Sequence, residues 1–172
     1  MAELVQAAWT RWVRQQNLSI IGDTADLHEF LFGVERANLA LLQKPLRDLQ
    51  RNTCFYCHHE MRGRPDVDHF VPWVLYQLDL GHNFVLAHKE CNSEKRDRLA
   101  SEEHLAAWVD RNQEHGEALG REFDRLRVLH SLPSTIQIAR WAYGSVSMAN
   151  GLTWKARETL VPLRGDWTRF LA

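Results

Sequence analysis

No apolar run in this 172-residue chain approaches the roughly 20 residues that a membrane helix needs. The opening stretch MAELVQAAWTRWVRQQ is amphipathic and carries both acidic and basic residues, unlike a signal peptide, so the chain reads as cytoplasmic with no membrane partner. An excess of charge is missing as well. With 21 Lys and Arg against 22 Asp and Glu, the formal net charge is -1, and any nucleic-acid surface has to be local. There is no low-complexity segment and no internal repeat. Cysteine is scarce: three residues, an odd number, make poor disulfide material in a reducing compartment and better metal ligands. What the chain does have is core-forming material, 45% hydrophobic residues and 7 Trp. That suffices for one domain, or for a small core with helical additions.

Residues 3 to 16 place Leu4, Val5, Ala8, Trp9, Trp12 and Val13 on one helical face, and Asp23 or Thr24 can cap a second helix carrying Leu27, Phe30, Leu31 and Val34. A third helical run, Asn38 to Leu49, contains Pro45 and is expected to break or restart there. From Thr53 to Asp97 the chain turns aromatic, Cys- and His-rich, with Gly and Pro punctuation. Two strand-like pieces, Val67 to Trp73 and Phe84 to Ala87, precede a polar helix over Glu90 to Leu99. Ser101-Glu102-Glu103 reads as the N-cap of a helix burying Leu105, Trp108 and Val109. Another helix is expected through Leu119, Phe123 and Leu126, and helical period returns over Ile136 to Tyr143 after Pro133. Gly144 to Ala172 takes no firm assignment.

The cysteines fall into a pattern with one histidine. Cys54-Phe-Tyr-Cys57 is a CxxC, and His88-Lys-Glu-Cys91 repeats its spacing as an HxxC. Two such pairs offer the four ligands tetrahedral Zn²⁺ takes, so a structural zinc site is predicted from Cys54, Cys57, His88 and Cys91. Cys54 to His58 also spells CxxCH, the c-type haem attachment motif, but that needs export and leaves Cys91 idle. A thioredoxin-like use of the CxxC lacks its βαβ surroundings. His58 and His59 read as solvated knuckle residues, and His28, His104, His115 and His130 as surface or capping residues; His82 could reach a phosphate.

The run PDVDHFVPW poses a different question. Asp68 and His69 stand side by side in an otherwise apolar segment, and on a regular strand neighbours face opposite ways. As a bare dipeptide the pair reads best as a buried, hydrogen-bonded structural couple. Its company changes that. VDHFVP, followed by NFVLAHKECNSEK between and around the zinc pairs, resembles the HNH endonuclease family of the ββα-metal (His-Me finger) class. The likeness covers Thr53 to Asp97 and leaves the helical flanks out.

The resemblance implies a fold and a set of roles. The fold class is α+β: a mainly helical chain around a small ββα-metal core with a structural zinc knuckle. Outside the likeness, helical periodicity leads us to expect a helical N-terminal segment over residues 1–50 and a helical extension over 101–172 packing on the core at 51–100. His69 matches the general base and Asp68 the carboxylate that holds a catalytic divalent metal. Asn83 matches the Asn that ties down the loop and orients the base. Asn92 stands where the family's last His usually sits, making this an HNN variant, and its oxygen suits Mg²⁺ or Mn²⁺. Lys95 matches a position that faces the scissile phosphate. His88 replaces a more usual Cys at zinc.

The implied function is metal-dependent hydrolysis of DNA phosphodiester bonds, with bacterial or phage defence as the setting by analogy. The alternative is a zinc-stabilised module that binds nucleic acid or protein without cutting. Arg62, Arg64, Lys89 and Arg96 are the candidate contacts to double-stranded DNA. A chain so near neutrality would bind DNA weakly alone, so a protein partner or self-association is expected. For Asp68 and His69 to share one phosphate, the strand is expected to be irregular or to end near them, helped by Pro72, with Val67, Phe70 and Val71 as anchors.

Overall fold

The two strands at the centre form where apolar residues crowd around the DVDH run. In the structure, a computed structural model that describes residues 39–171, β1 (Asp66–His69) pairs antiparallel with β2 (Phe84–Ala87), His69 opposite Phe84 and Asp68 opposite Val85. The two helices expected before Asn38, and His28, lie outside the described residues. β1 is shorter than the Val67 to Trp73 expectation and stops at His69, where Pro72 follows. Of the expected anchors, Phe70 and Val71 are fully buried, whereas Val67 is half-buried.

β2 is buried at all four positions, so its outer edge needs partners for its backbone groups. The Gln50 side chain supplies them: its Oε1 accepts from Leu86 N at 2.8 Å and its Nε2 donates to Leu86 O at 2.8 Å. The knuckle adds Phe55 N to the same carbonyl at 3.0 Å. Gln50 follows helix α1 (Gln43–Leu49), which a 3-10 turn over Leu39–Leu42 leads into. The restart expected at Pro45 takes that form. Pro45 lies in the first turn of α1, where no intrahelical N–H bond is lost.

After β2 comes the short helix α2 (Lys89–Lys95), closed by Arg96 in a positive-φ conformation. The long helix α3 (Glu102–Leu126) follows, and α4 (Leu132–Met148) packs beyond it. The separate helices expected around Trp108 and Phe123 are thus one continuous helix of 25 residues. Its buried glycines mark close approach rather than a break: a Cβ on Gly116 would come within 2.8 Å of Leu132 Cδ2, and one on Gly120 within 3.3 Å of His130 Cε1. The unassigned end forms a hairpin, β3 (Leu152–Ala156) with β4 (Thr159–Pro162), and a 3-10 turn over Trp167–Leu171. Four α-helices and two small antiparallel sheets among the described residues make the α+β class expected.

Phe70 links the strands to the long helices. Its ring stacks on Trp108 of α3 at 4.8 Å and lies 6.4 Å from Tyr143 of α4, contacts worth about 0.5–1.5 kcal/mol each beyond simple burial. Because Phe70 directly follows His69, the core fixes the end of β1. Two histidines, His104 expected at the surface or in a cap and His82 expected within reach of a phosphate, are placed differently. His104 is buried between Ser101 Oγ at 3.0 Å and Tyr56 O at 3.1 Å. His82 is buried too, its Nε2 3.0 Å from Gly116 O, and so does not present itself to a phosphate. No helix among the described residues is long and apolar enough to cross a membrane.

Candidate active site and metal centre

The knuckle is a tight turn whose backbone closes on itself: Cys54 N bonds His59 O and His58 N bonds Cys54 O, both at 2.9 Å, with His58 in the left-handed region. This brings Cys54 and Cys57 together, and the start of α2 brings His88 and Cys91 to them. One ligand atom from each of these four residues lies within 4.8 Å of the others. His88 turns Nδ1 toward the cluster, 3.2 Å from Cys57 Sγ, and its Nε2 toward Glu60 O at 3.2 Å. An outer carbonyl of that kind holds the Nε2–H tautomer and leaves Nδ1 free to ligate. The hydrogen bond from Cys91 and backbone donors from Cys57, His88 and Tyr56 pull the Cys54 thiol down to about 4, against the effect of burial. Cys91 is pushed upward, by Cys54 first and then by burial. The site thus favours thiolate at its buried member, and a Cys₃His set of this geometry fits tetrahedral Zn²⁺.

On the other side of α2, β1 presents Asp66 and Asp68, which share a face by alternation. Asp68 Oδ2 accepts from Tyr56 Oη at 2.5 Å and pairs with Lys95 Nζ at 3.0 Å. Lys95 is wholly buried and also donates to His69 O at 2.9 Å. Burial drives the Lys95 ammonium below its usual range while Asp68 opposes the shift. Burial, then Asp68, holds the Tyr56 hydroxyl well above its own, so Tyr56 stays a donor. One turn earlier on α2, Asn92 Nδ2 donates to Asp66 Oδ2 at 3.1 Å. Asp66, Asp68, Asn92 and Lys95 therefore meet between β1 and α2, with Lys95 inside the protein rather than on an open face.

His69 points elsewhere. Its Nε2 lies 2.7 Å from Asp79 Oδ1, and its ring packs edge-on against Phe84 at 4.8 Å. Asn83 clamps the chain just beyond: Oδ1 accepts from Val71 N at 2.8 Å and Nδ2 donates to Val71 O at 2.9 Å. Asn83 is itself held by α3, which grips the carbonyls on either side of it. Arg111 donates to His82 O at 2.7 Å and Phe84 O at 2.6 Å, and Trp108 Nε1 donates to His82 O at 3.1 Å. Burial lowers the Arg111 guanidinium to about 9. Arg62, Arg64, Lys89 and Arg96 are all exposed.

Tyr56, Asp66, Asp79 and Arg111 were not legible as site residues in the sequence. Tyr56 stood inside the CxxC and could have been suspected from that alone. Asp79 and Arg111 reach the site through a loop and a distant helix, at separations no motif specifies.

Residues 54–101 match the family model described as HNH endonuclease. The matched segment runs from Cys54 through both strands and α2 to the N-cap of α3. The flanking helices and the C-terminal hairpin lie outside the match. No curated protein matches the chain. The segment is thus similar to HNH endonucleases, and the Cys₃His cluster within it could hold a metal ion.

Proposed function

We propose that the chain is a metal-dependent endonuclease hydrolysing DNA phosphodiester bonds, with His69 as general base. The match of residues 54–101 to HNH endonucleases carries this reading. The position of His69, at the exit of a strand held by Phe70, Asn83 and Lys95, supports it.

In the proposed reaction a water gives its proton to His69 as its oxygen bonds to phosphorus. The bond from phosphorus to the 3′ oxygen breaks, leaving a 5′-phosphate and a 3′ oxygen that takes a proton from solvent. A divalent ion, Mg²⁺ or Mn²⁺, would supply Lewis-acid neutralisation of the charge that builds on phosphate and leaving oxygen. The donors left over around α2 fit such an ion. Asp68 uses Oδ2 for Tyr56 and Lys95, and its Oδ1 has no hydrogen bond among the described residues. Asn92 uses its amide nitrogen for Asp66, leaving its oxygen likewise. Two hard oxygen donors suit Mg²⁺ or Mn²⁺. Asn83 orients the segment that carries the base, and Lys95 holds both Asp68 and the His69 carbonyl.

Arg62, Arg64, Lys89 and Arg96 offer charge to the backbone of double-stranded DNA. With a net charge of -1 on the whole chain, a protein partner or a second copy would supply the remaining affinity. Bacterial or phage defence is the setting we attach to the activity by analogy with the family.

Plasmid nicking with Mg²⁺ or Mn²⁺ tests the reading. Wild type is expected to open supercoiled DNA, and chelation that spares zinc to stop it. A protein that binds DNA but never cuts it, with any metal or DNA form, leaves the zinc-stabilised binding module in its place.

A further inference from the structure

The side chain that meets His69 is not part of the HNH pattern. Asp79 lies ten residues on, in the loop between the strands, with its carboxylate oxygen 2.7 Å from His69 Nε2. Both groups are largely withdrawn from solvent, the side chains being 16% and 7% exposed. Asp79 is flanked by Leu78 and Leu80, both buried, and the loop is pinned beyond it by Gly81 N to Leu129 O at 2.8 Å. His69 is equally constrained. Its backbone is in the ladder opposite Phe84, its carbonyl accepts from Lys95, and its ring abuts the Phe84 ring. Neither partner reached this contact by being long and mobile.

We propose that Asp79 is the positioning residue for His69: it fixes the imidazole as the Nε2–H tautomer and so makes Nδ1 the basic nitrogen. A carboxylate can only accept, so the ring nitrogen facing it must carry the hydrogen. The lone pair then sits on Nδ1, which has no hydrogen bond among the described residues. A proton taken from water lands on Nδ1, while the original hydrogen stays on Nε2 and Asp79 remains ionised. The carboxylate faces the positive ring that results, the relation by which an Asp supports the His of a serine-protease triad. The pairing itself stands on geometry; only its use in cutting rests on the nuclease reading.

The test is ¹⁵N spectroscopy of the ring nitrogens in the 172-residue, zinc-loaded chain, with the His69 signals assigned by their loss in His69→Ala. At a pH where the ring is neutral, wild type should show the Nε2–H tautomer. In Asp79→Asn the amide can donate to Nε2, and the ring should move to Nδ1–H. In nicking assays the same variant should lose about 10²–10⁴ in kcat with little change in KM, while keeping its zinc and its circular dichroism spectrum. A wild-type His69 found as the Nδ1–H tautomer overturns the inference without any variant. So does an Asp79→Asn protein that nicks at the wild-type rate. If wild type shows the Nε2–H tautomer and yet never nicks, the nuclease reading fails and the pairing stands.

Discussion

Lys95 illustrates how much a single side chain carries here. Its ammonium is fully buried and reaches both Asp68 and the carbonyl of His69. A buried pair of this kind adds little over a well-packed apolar pair, but breaking it strands a charge. Lys95→Met is therefore expected to lower unfolding free energy by about 3–5 kcal/mol, measured by urea titration. Adding Asp68→Asn in the same chain should recover most of that loss. A single variant within about 0.5 kcal/mol of wild type would remove Lys95 from this role. At this scale the sequence was informative where spacing carries meaning. Cys54, Cys57, His88 and Cys91 were marked out by two matched gaps and do gather in one cluster, whereas Asp68, His69, Asn83, Asn92 and Lys95 were marked out by the family resemblance. What it did not reveal is which partner each one takes. Asn92 bonds Asp66, and Lys95 pairs with Asp68 from inside the protein. Such choices depend on side-chain packing between β1 and α2, which no linear pattern encodes.

Among the elements, α3 and the knuckle do most to hold the site. α3 reaches the segment around Asn83 through Arg111, whose guanidinium is buried and bonded to the carbonyls of His82 and Phe84. Arg111→Met keeps much of the volume but removes those donors, leaving carbonyls short of partners in the core. A loss of about 1–3 kcal/mol is expected in thermal or urea unfolding, with zinc content unchanged. Nicking should also weaken, since the Asn83 clamp on Val71 loses its support. The knuckle makes the opposite prediction for metal. Cys54→Ser should lose zinc and cooperative folding together, read by metal analysis and circular dichroism, because ligation and folding are one equilibrium in small zinc sites. Full zinc content and undiminished stability in that variant would refute the structural site. The elements themselves were partly legible. Phe84–Ala87 appeared as expected, whereas β1 ended early and two expected helices proved to be one. Gly116 and Gly120 are tolerated in α3 because His130 and Leu132 pack over them, a tertiary reason that helical propensity cannot supply.

At the scale of the whole molecule, stability should depend on pH through histidines that the fold keeps neutral. Burial holds both His82 and His104 below their ordinary value of 6.5. Below that value the unfolded chain binds protons that the folded chain refuses, so unfolding free energy falls as pH drops. The slope is at most about 1.4 kcal/mol per pH unit for each proton. Urea midpoints taken downward from about pH 7.5, with zinc in excess, should decline, and His104→Gln should flatten the decline. A flat profile in wild type would contradict the burial of these rings. The aromatic stack of Phe70, Trp108 and Tyr143 ties the strand bearing His69 to both long helices, so stability and the geometry around His69 should fail together. The role proposed for His69, at the end of β1, is to remove the proton that starts phosphodiester cleavage. Its most direct test is the first-order nicking rate of supercoiled plasmid in Mg²⁺ by wild type and by His69→Ala, both folded and zinc-loaded. The rate is expected to fall at least about 100-fold in the variant; equal rates in the two proteins would remove His69 from that role.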